Sequence, residues 1–244
     1  MSERIPSDTT DSMSALFPGG VRGWHLAAAA FACVALAWIF AAIAEDVATA
    51  DYITQVDQRV ATVLHAGATP LLTSAMLAIS WLHDVVPLAI VSSGLLLFLL
   101  WRKQRTWIIA LLLALPGGML MNSVMKLAFA RQRPQFDDPL VILTSYSFPS
   151  GHTAGSTLLY GFIAALLISH TRSSSLRAMI AVTALLMIAT VACSRIYLGA
   201  HFLSDVLGAF FEALAWLVLC GITAQLLSAY WSRRQHALDR EPHS

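Results

Sequence analysis

Trp107-Ile-Ile-Ala-Leu-Leu-Leu-Ala-Leu-Pro-Gly-Gly-Met-Leu-Met-Asn-Ser-Val-Met125 runs nineteen residues without a charge, and Lys126-Leu-Ala-Phe-Ala-Arg131-Gln-Arg133-Pro134 follows at once. A helix needs about 20 residues to cross the hydrocarbon of a bilayer, with a usual range of roughly 17–25. Five further apolar stretches lie near 24–44, 85–101, 153–169, 178–193 and 206–227, separated by charges. Of the 244 residues 57% are apolar and only 12% charged, against roughly 25% charged in a soluble domain. The pattern predicts an all-α polytopic membrane protein, a six-helix bundle formed by residues 21–230. The net charge of +1 says nothing about nucleic acid and no basic tract suggests it, so no nucleic-acid partner is expected. Oligomeric state has no signature here.

Ala42-Ile43-Ala44 resembles a signal-peptidase site. The apolar run before it exceeds a signal peptide's core of about 7–15 residues, so a retained anchor is expected. Residues 1–20, rich in Ser, Thr, Asp and Pro, predict a disordered tail, and 231–244 a second polar tail. The 45–84 linker carries Ile53, Val56, Val60, Val63 and Leu64 at helical spacing, then Leu71, Leu72, Met76 and Leu77 after Pro70. Short helices follow from that spacing, either lying at the interface or packed on the bundle. Cys33, Cys193 and Cys220 sit inside apolar runs, odd in number and without metal spacing, as small buried hydrophobes do.

Lys and Arg set the orientation. Arg4, Arg22, Arg102, Lys103, Arg105, Arg172, Arg177, Arg233, Arg234 and Arg240 fall on one side, which should be cytoplasmic and hold both termini. The other side has Arg59, Lys126, Arg131, Arg133 and Arg195, with Glu45, Asp46, Asp51, Asp57 and Asp84.

Three segments ending on that external side carry the chemistry. In Lys126-x6-Arg133-Pro134, seven residues make nearly two helical turns, so the two cations share a face if the helix continues, while Arg131 points elsewhere. Pro149-Ser150-Gly151-His152 opens the fourth span, where free backbone N–H groups and a hydroxyl suit an anion, and His152 stands beside it. Ser194-Arg195-x5-His201-x3-Asp205 places a carboxylate four residues after a histidine, able to fix one ring nitrogen and free the other as a nucleophile. Singly, each segment also fits a structural role: a snorkelling cation group, a helix cap, a structural pair. Jointly they offer three cations, an anion nest and two histidines, which suits a phosphoryl group. Magnesium would call for several carboxylates, and the neighbouring cations oppose a zinc site on His152, His201 and Asp205, so neither metal nor cofactor is expected. Glu212, deep in the last span, has no assigned role.

These three segments, complete and in order, resemble the signature of the type-2 phosphatidic acid phosphatase superfamily, over about residues 50–215. The resemblance implies metal-independent hydrolysis of a phosphate ester or anhydride. It implies that His201 forms a phosphohistidine, Asp205 orients it, and His152 protonates the leaving oxygen. Lys126, Arg133, Ser150, Gly151 and Arg195 would hold the phosphoryl oxygens. Soluble relatives with this pocket bind vanadate and oxidise halides, a role that six spans oppose. The expected substrate is a phosphorylated membrane lipid at the periplasmic or extracellular face of a bacterial plasma membrane. Undecaprenyl diphosphate and a phosphatidyl phosphate lead the candidates. A lipid phosphotransferase and a non-enzymatic lipid transporter or scaffold remain as alternatives.

Overall fold

The computed structural model describes residues 23–238. The 1–20 tail, Arg4, Arg22 and Arg240 lie outside the described residues. Eight helices follow one another: α1 Gly23–Ala48, α2 Tyr52–Ala66, α3 Pro70–Leu82, α4 Val85–Trp101, α5 Arg105–Phe129, α6 Gly151–Ser169, α7 Ser174–Tyr197 and α8 Leu203–Leu238. No strand occurs among the described residues. Helices satisfy every interior backbone group within the segment, as a lipid surround requires.

Five helices are each long and apolar enough to cross a membrane, namely α1, α5, α6, α7 and α8 over Leu203–Trp231. Helices α3 and α4 pass the same test of length and apolarity only when taken together, bent by 45°, and make a sixth candidate span as a pair. The sequence predicted 85–101 as a span by itself. It has 17 residues, the short end of the range, and α3 lengthens it. The break falls where Asp84 caps α4, accepting from the Val85 N–H at 2.7 Å. The α2 and α3 pair fills the predicted linker and packs on the bundle, α2 against α1, α7 and α8, and α3 against α7. At the other end α8 passes the predicted boundary at 231 and stays helical to Leu238. Polarity ends a span, whereas Gly or Pro ends a helix, and residues 228–238 contain neither. Residues 239–244 lie outside the described part.

Helix α6 is the central post, packed against α5, α7 and α8, while α1 lies along α8. The core gathers Leu99, Leu111, Ala114, Leu158, Phe162, Ala209 and Ala213. Lipid tails are as apolar as Leu, so helices in a bilayer associate by close packing of small residues rather than by hydrophobic exclusion. Gly208 shows the tolerance: a methyl there would come within 2.7 Å of the Phe148 ring. Large apolar side chains such as Trp38, Leu71 and Leu127 point outward, the arrangement a lipid-facing surface calls for.

Candidate functional site

The site is assembled where the ends of α5 and α7 meet the starts of α6 and α8. Helix α5 stops at Phe129 because Ala130 turns left-handed (φ 45°), its N–H returning to the Lys126 carbonyl at 3.0 Å. From there helical spacing no longer applies. Lys126 Nζ donates to the Tyr146 carbonyl at 2.9 Å and the Ser147 carbonyl at 3.4 Å. Arg133 Nε donates to the Ser145 carbonyl at 2.7 Å, and its Nη2 to Ser145 Oγ at 3.0 Å. The two cations therefore converge, as expected, but through a turn rather than one helix face. The same turn corrects the expectation for Arg131. Instead of pointing away, it binds Asp205 Oδ1 at 2.7 Å and Asp57 Oδ2 at 2.8 Å.

Ser150 is the N-cap of α6, its Oγ accepting from the Thr153 N–H at 3.4 Å and Thr153 Oγ1 at 3.1 Å. It is fully buried, and its hydroxyl faces the helix end rather than open space. Gly151 and His152 form the first turn. The Ser150 N–H bonds the Asp205 carbonyl at 3.0 Å, so the N-termini of α6 and α8 abut. Both helix starts thus bring their positive ends to one place.

His201 is not on α8 but one residue before its cap. Gly199, at φ 65°, supplies the left-handed step that lifts the chain off α7. Asp205 sits in the first turn and accepts from the Phe202 N–H at 2.8 Å, one half of a capping box. Its Oδ2 also receives the Ser147 hydroxyl and lies 3.5 Å from His201 Nδ1. The four-residue spacing works through this cap and not through a helix face. Arg133 Nη1 donates to the Ala200 carbonyl and lies 3.2 Å from His201 Nε2. A guanidinium has only protons to give, so Nε2 must be the bare nitrogen and Nδ1 carries the proton. Burial pushes the His201 imidazole down to about 3, against the opposing pull of Asp205.

A cavity of about 230 Å³ opens beside that nitrogen, lined by His201, His152, Gly151, Lys126, Arg133 and Arg195. Its volume is several times the ~30 Å³ share of one water. Arg195 is buried, held by Ser80 Oγ through Nη1, and its Nε–H has no partner. An unpaired buried guanidinium N–H beside a cavity is a waiting anion contact. Of the eight residues singled out in the sequence, six line the cavity, Asp205 backs His201, and Ser150 stands behind the helix start. Among the described residues no group of three or more His, Cys, Asp or Glu is placed to hold a metal ion.

Sequence reasoning missed Asp57, Arg131, Ser147, Ser204 and Ser80, and left Glu212 open. Asp57 carried a signal: it interrupts the Ile53, Val60, Ala61, Leu64 stripe of α2, where a solvent-facing acid would not belong. The serines carried none. Glu212 accepts from Asn122 Nδ2 at 3.2 Å, and its Oε1 is buried without a partner. Outside the cavity, His65 Nε2 meets Asp138 at 2.9 Å and stacks on Phe136, clasping the 134–148 loop to α2. That hydrogen bond holds the Asp138 carboxyl below its usual range.

The fold and site define a helical multi-span membrane protein with a cationic, histidine-faced cavity. The chain belongs to the PAP2 superfamily, whose sequence model matches residues 105–229. It is 40% identical over 109 residues to phosphatidylglycerophosphatase B of Bacillus subtilis (strain 168), an alignment covering 44% of this chain. The chain spans about half the length of that curated relative, 53%. A crystal structure of a transmembrane PAP2-type phosphatidylglycerolphosphate phosphatase from Bacillus subtilis superposes with a TM-score of 0.68 at 30% identity. That superposition covers 78% of this chain and 94% of the other. The crystal structure of Aquifex aeolicus LpxE superposes with a TM-score of 0.51 at 25% identity, covering 69% and 94%.

Proposed function

We propose that this chain is a metal-independent membrane lipid phosphatase acting on a phosphatidyl phosphate, with phosphatidylglycerophosphate the first substrate to test. One observation carries the reading: a deprotonated His201 Nε2 faces a cavity lined by Lys126, Arg133 and Arg195, with His152 on the same wall. Nothing else in the described residues combines a nucleophile with that much fixed positive charge. The similarity to phosphatidylglycerophosphatase B and to a transmembrane PAP2-type phosphatidylglycerolphosphate phosphatase, both of Bacillus subtilis, supports the lipid class.

In the mechanism, His201 Nε2 attacks phosphorus. The N–P bond forms as the lipid P–O bond breaks, and a protonated His152 gives its proton to the leaving oxygen. Water then attacks phosphorus while His152 takes its proton, the N–P bond breaks, and phosphate leaves with His201 neutral again. Asp205 behind Nδ1 stabilises the positive ring that exists while phosphorus is attached. Lys126, Arg133 and the Arg195 Nε–H hold the phosphoryl oxygens, with the Gly151 backbone at the helix start. Ser150 would contribute only its own O–H proton, since its oxygen already caps α6. The site would face outward in a bacterial plasma membrane, with both termini inside. Exposed Arg102, Lys103, Arg105, Arg172 and Arg177 at the far end support that orientation.

The test is inorganic phosphate release by the purified protein from phosphatidylglycerophosphate, phosphatidate, undecaprenyl diphosphate and a lipid A phosphate, in excess EDTA. Release from a phosphatidyl phosphate is expected. Strict metal dependence would overturn the mechanism. A preference for undecaprenyl diphosphate would move the substrate to the diphosphates. Lipid binding without any phosphate release would leave a transporter or scaffold. Transfer of phosphate to an added alcohol in preference to water would make it a phosphotransferase.

A further inference from the structure

Behind His201 lies an ion cluster with more negative charge than positive. Asp57 on α2 and Asp205 on α8 share one guanidinium, Arg131, which reaches them through Nη2 and Nη1 at 2.8 and 2.7 Å. Both carboxylates are fully buried, and the Arg131 side chain is 13% exposed. Ser204 closes the ring: its N–H bonds Asp57 Oδ1 at 2.9 Å, its hydroxyl donates to Asp57 Oδ2, and its oxygen accepts from Arg131 Nη1 at 2.7 Å. The Phe202 ring covers the guanidinium, 4.4 Å from its centroid. Every contact to Asp57 is a donor pointing at it, the pattern of an ionised carboxylate. So is every contact to Asp205, from Arg131, Ser147 and Phe202. Two carboxylates around one cation leave the cluster itself net negative in a dry place, where that charge acts strongly on its neighbour.

That neighbour is His201. We propose that Asp57 is a positioning residue for the phosphatase chemistry: it occupies half of Arg131, so that Asp205 keeps its negative charge for the His201 ring. The inference rests on the phosphatase reading above. When Nε2 bonds phosphorus, the ring becomes positive, and Asp205 is the group facing its Nδ1. Were Asp57 absent, Arg131 would belong to Asp205 alone and cancel it. Asp57 lies on α2, outside the residues 105–229 matched by the family and outside all three motif segments. The arrangement gives the α2 helix a part in the chemistry and not only in packing.

A structural staple between α2 and α8 predicts something different, and the difference is one of sign. Asp57→Asn keeps an oxygen for the Ser204 N–H but removes the charge. Its kcat for the lipid phosphate should fall on the order of 10-fold, mid-range for groups coupled in one ion-pair network, with KM moving less than about 2-fold. Adding Arg131→Gln to that variant frees Asp205 again and should return kcat to within about 3-fold of wild type, although a second buried bond has been altered. A staple predicts the reverse, each change lowering activity and thermal midpoint further. Wild-type kcat in Asp57→Asn, or a double variant slower than the single one, overturns the inference. Should Asp57→Asn not accumulate, the charge-balanced double variant decides alone, and a kcat loss beyond about 10-fold sinks the idea. A wild-type protein inactive on every lipid phosphate would instead sink the phosphatase reading itself.

Discussion

The two ends of the bundle carry the same kinds of side chain and treat them oppositely. At one end Arg102, Lys103, Arg105, Arg172 and Arg177 are exposed, Arg102 lying 6.0 Å from the Trp101 ring and Arg177 donating at the surface to the Thr171 carbonyl at 2.9 Å. These positions share an end, since Gln104 meets His170 at 3.4 Å and Thr106 meets Ser228 at 2.8 Å. At the other end Arg195 is buried, and Lys126, Arg131 and Arg133 are half-buried and fixed by named partners. A cation that snorkels to water costs little. One held among helices costs several kcal/mol unless paired. The protein tolerates that cost at one end only, and there the cations surround a cavity. Burial of charge, rather than its count, separates a topology signal from a chemical site.

The sharpest way to break the comparison is at the nucleophile. His201→Asn should lower phosphate release by more than about 10³-fold while lipid binding changes little, as expected when the group that attacks is lost but the cations remain. Activity above a hundredth of wild type would remove His201 from the mechanism. Next comes Arg195→Lys, which keeps a charge but loses the unpartnered Nε–H. The expected drop in kcat is about 10²-fold, the scale for losing one preorganised donor to a developing oxyanion. An unchanged kcat would mean that this buried guanidinium is only a strut to Ser80.

Acid pH probes the same end more gently. With its imidazole held at about 3, His201 keeps its bare Nε2 down to pH values far below the usual 6.5. Loss of the nucleophile by protonation should therefore appear in kcat/KM only as pH falls toward 3. Stability responds over a higher window: between about 6.5 and 3 the unfolded chain takes up a proton that the folded His201 refuses, so this residue makes folding progressively less favourable as pH drops, and costs nothing above that window. A His201→Asn protein with an unchanged stability–pH profile would contradict this. The smallest effect belongs to the far end. Replacing Arg102 and Arg105 by Gln should leave kcat unchanged and stability within about 0.5 kcal/mol, read from phosphate release and the unfolding midpoint in detergent. A marked loss there would erase the distinction between the ends.

Much of this was legible along the chain. The apolar runs located five of the candidate crossings to within about ten residues and missed the part of α3 in the sixth; a bilayer core has one thickness and a helix one rise per residue, so length alone marks a span. Lys126, Arg133, Gly151, His152, Arg195 and His201 were singled out from three short segments, and the structure lines one cavity with all six. The reason they were separable is that each is an ionisable or backbone-special residue in a place where plain apolar residues would serve. Arg131 was misjudged because helical spacing was carried past Ala130, whose left-handed turn has no Gly or Asn to announce it. Ser147 and Ser204 could not be found at all, since a serine in a loop is unremarkable until its partner is known.

By itself the sequence determined the helical, membrane-crossing character of this protein and singled out six residues that the structure gathers around one cavity. Period, length and charge are local properties, written in consecutive residues. Only the tertiary structure decided that His201 precedes its helix rather than rides on it, that Ser150 turns its oxygen to the α6 cap, and that Asp57 reaches across 74 positions to share Arg131 with Asp205. Those are pairings between distant segments. A hydrogen bond or ion pair depends on where two chains meet, and no spacing within either one records it.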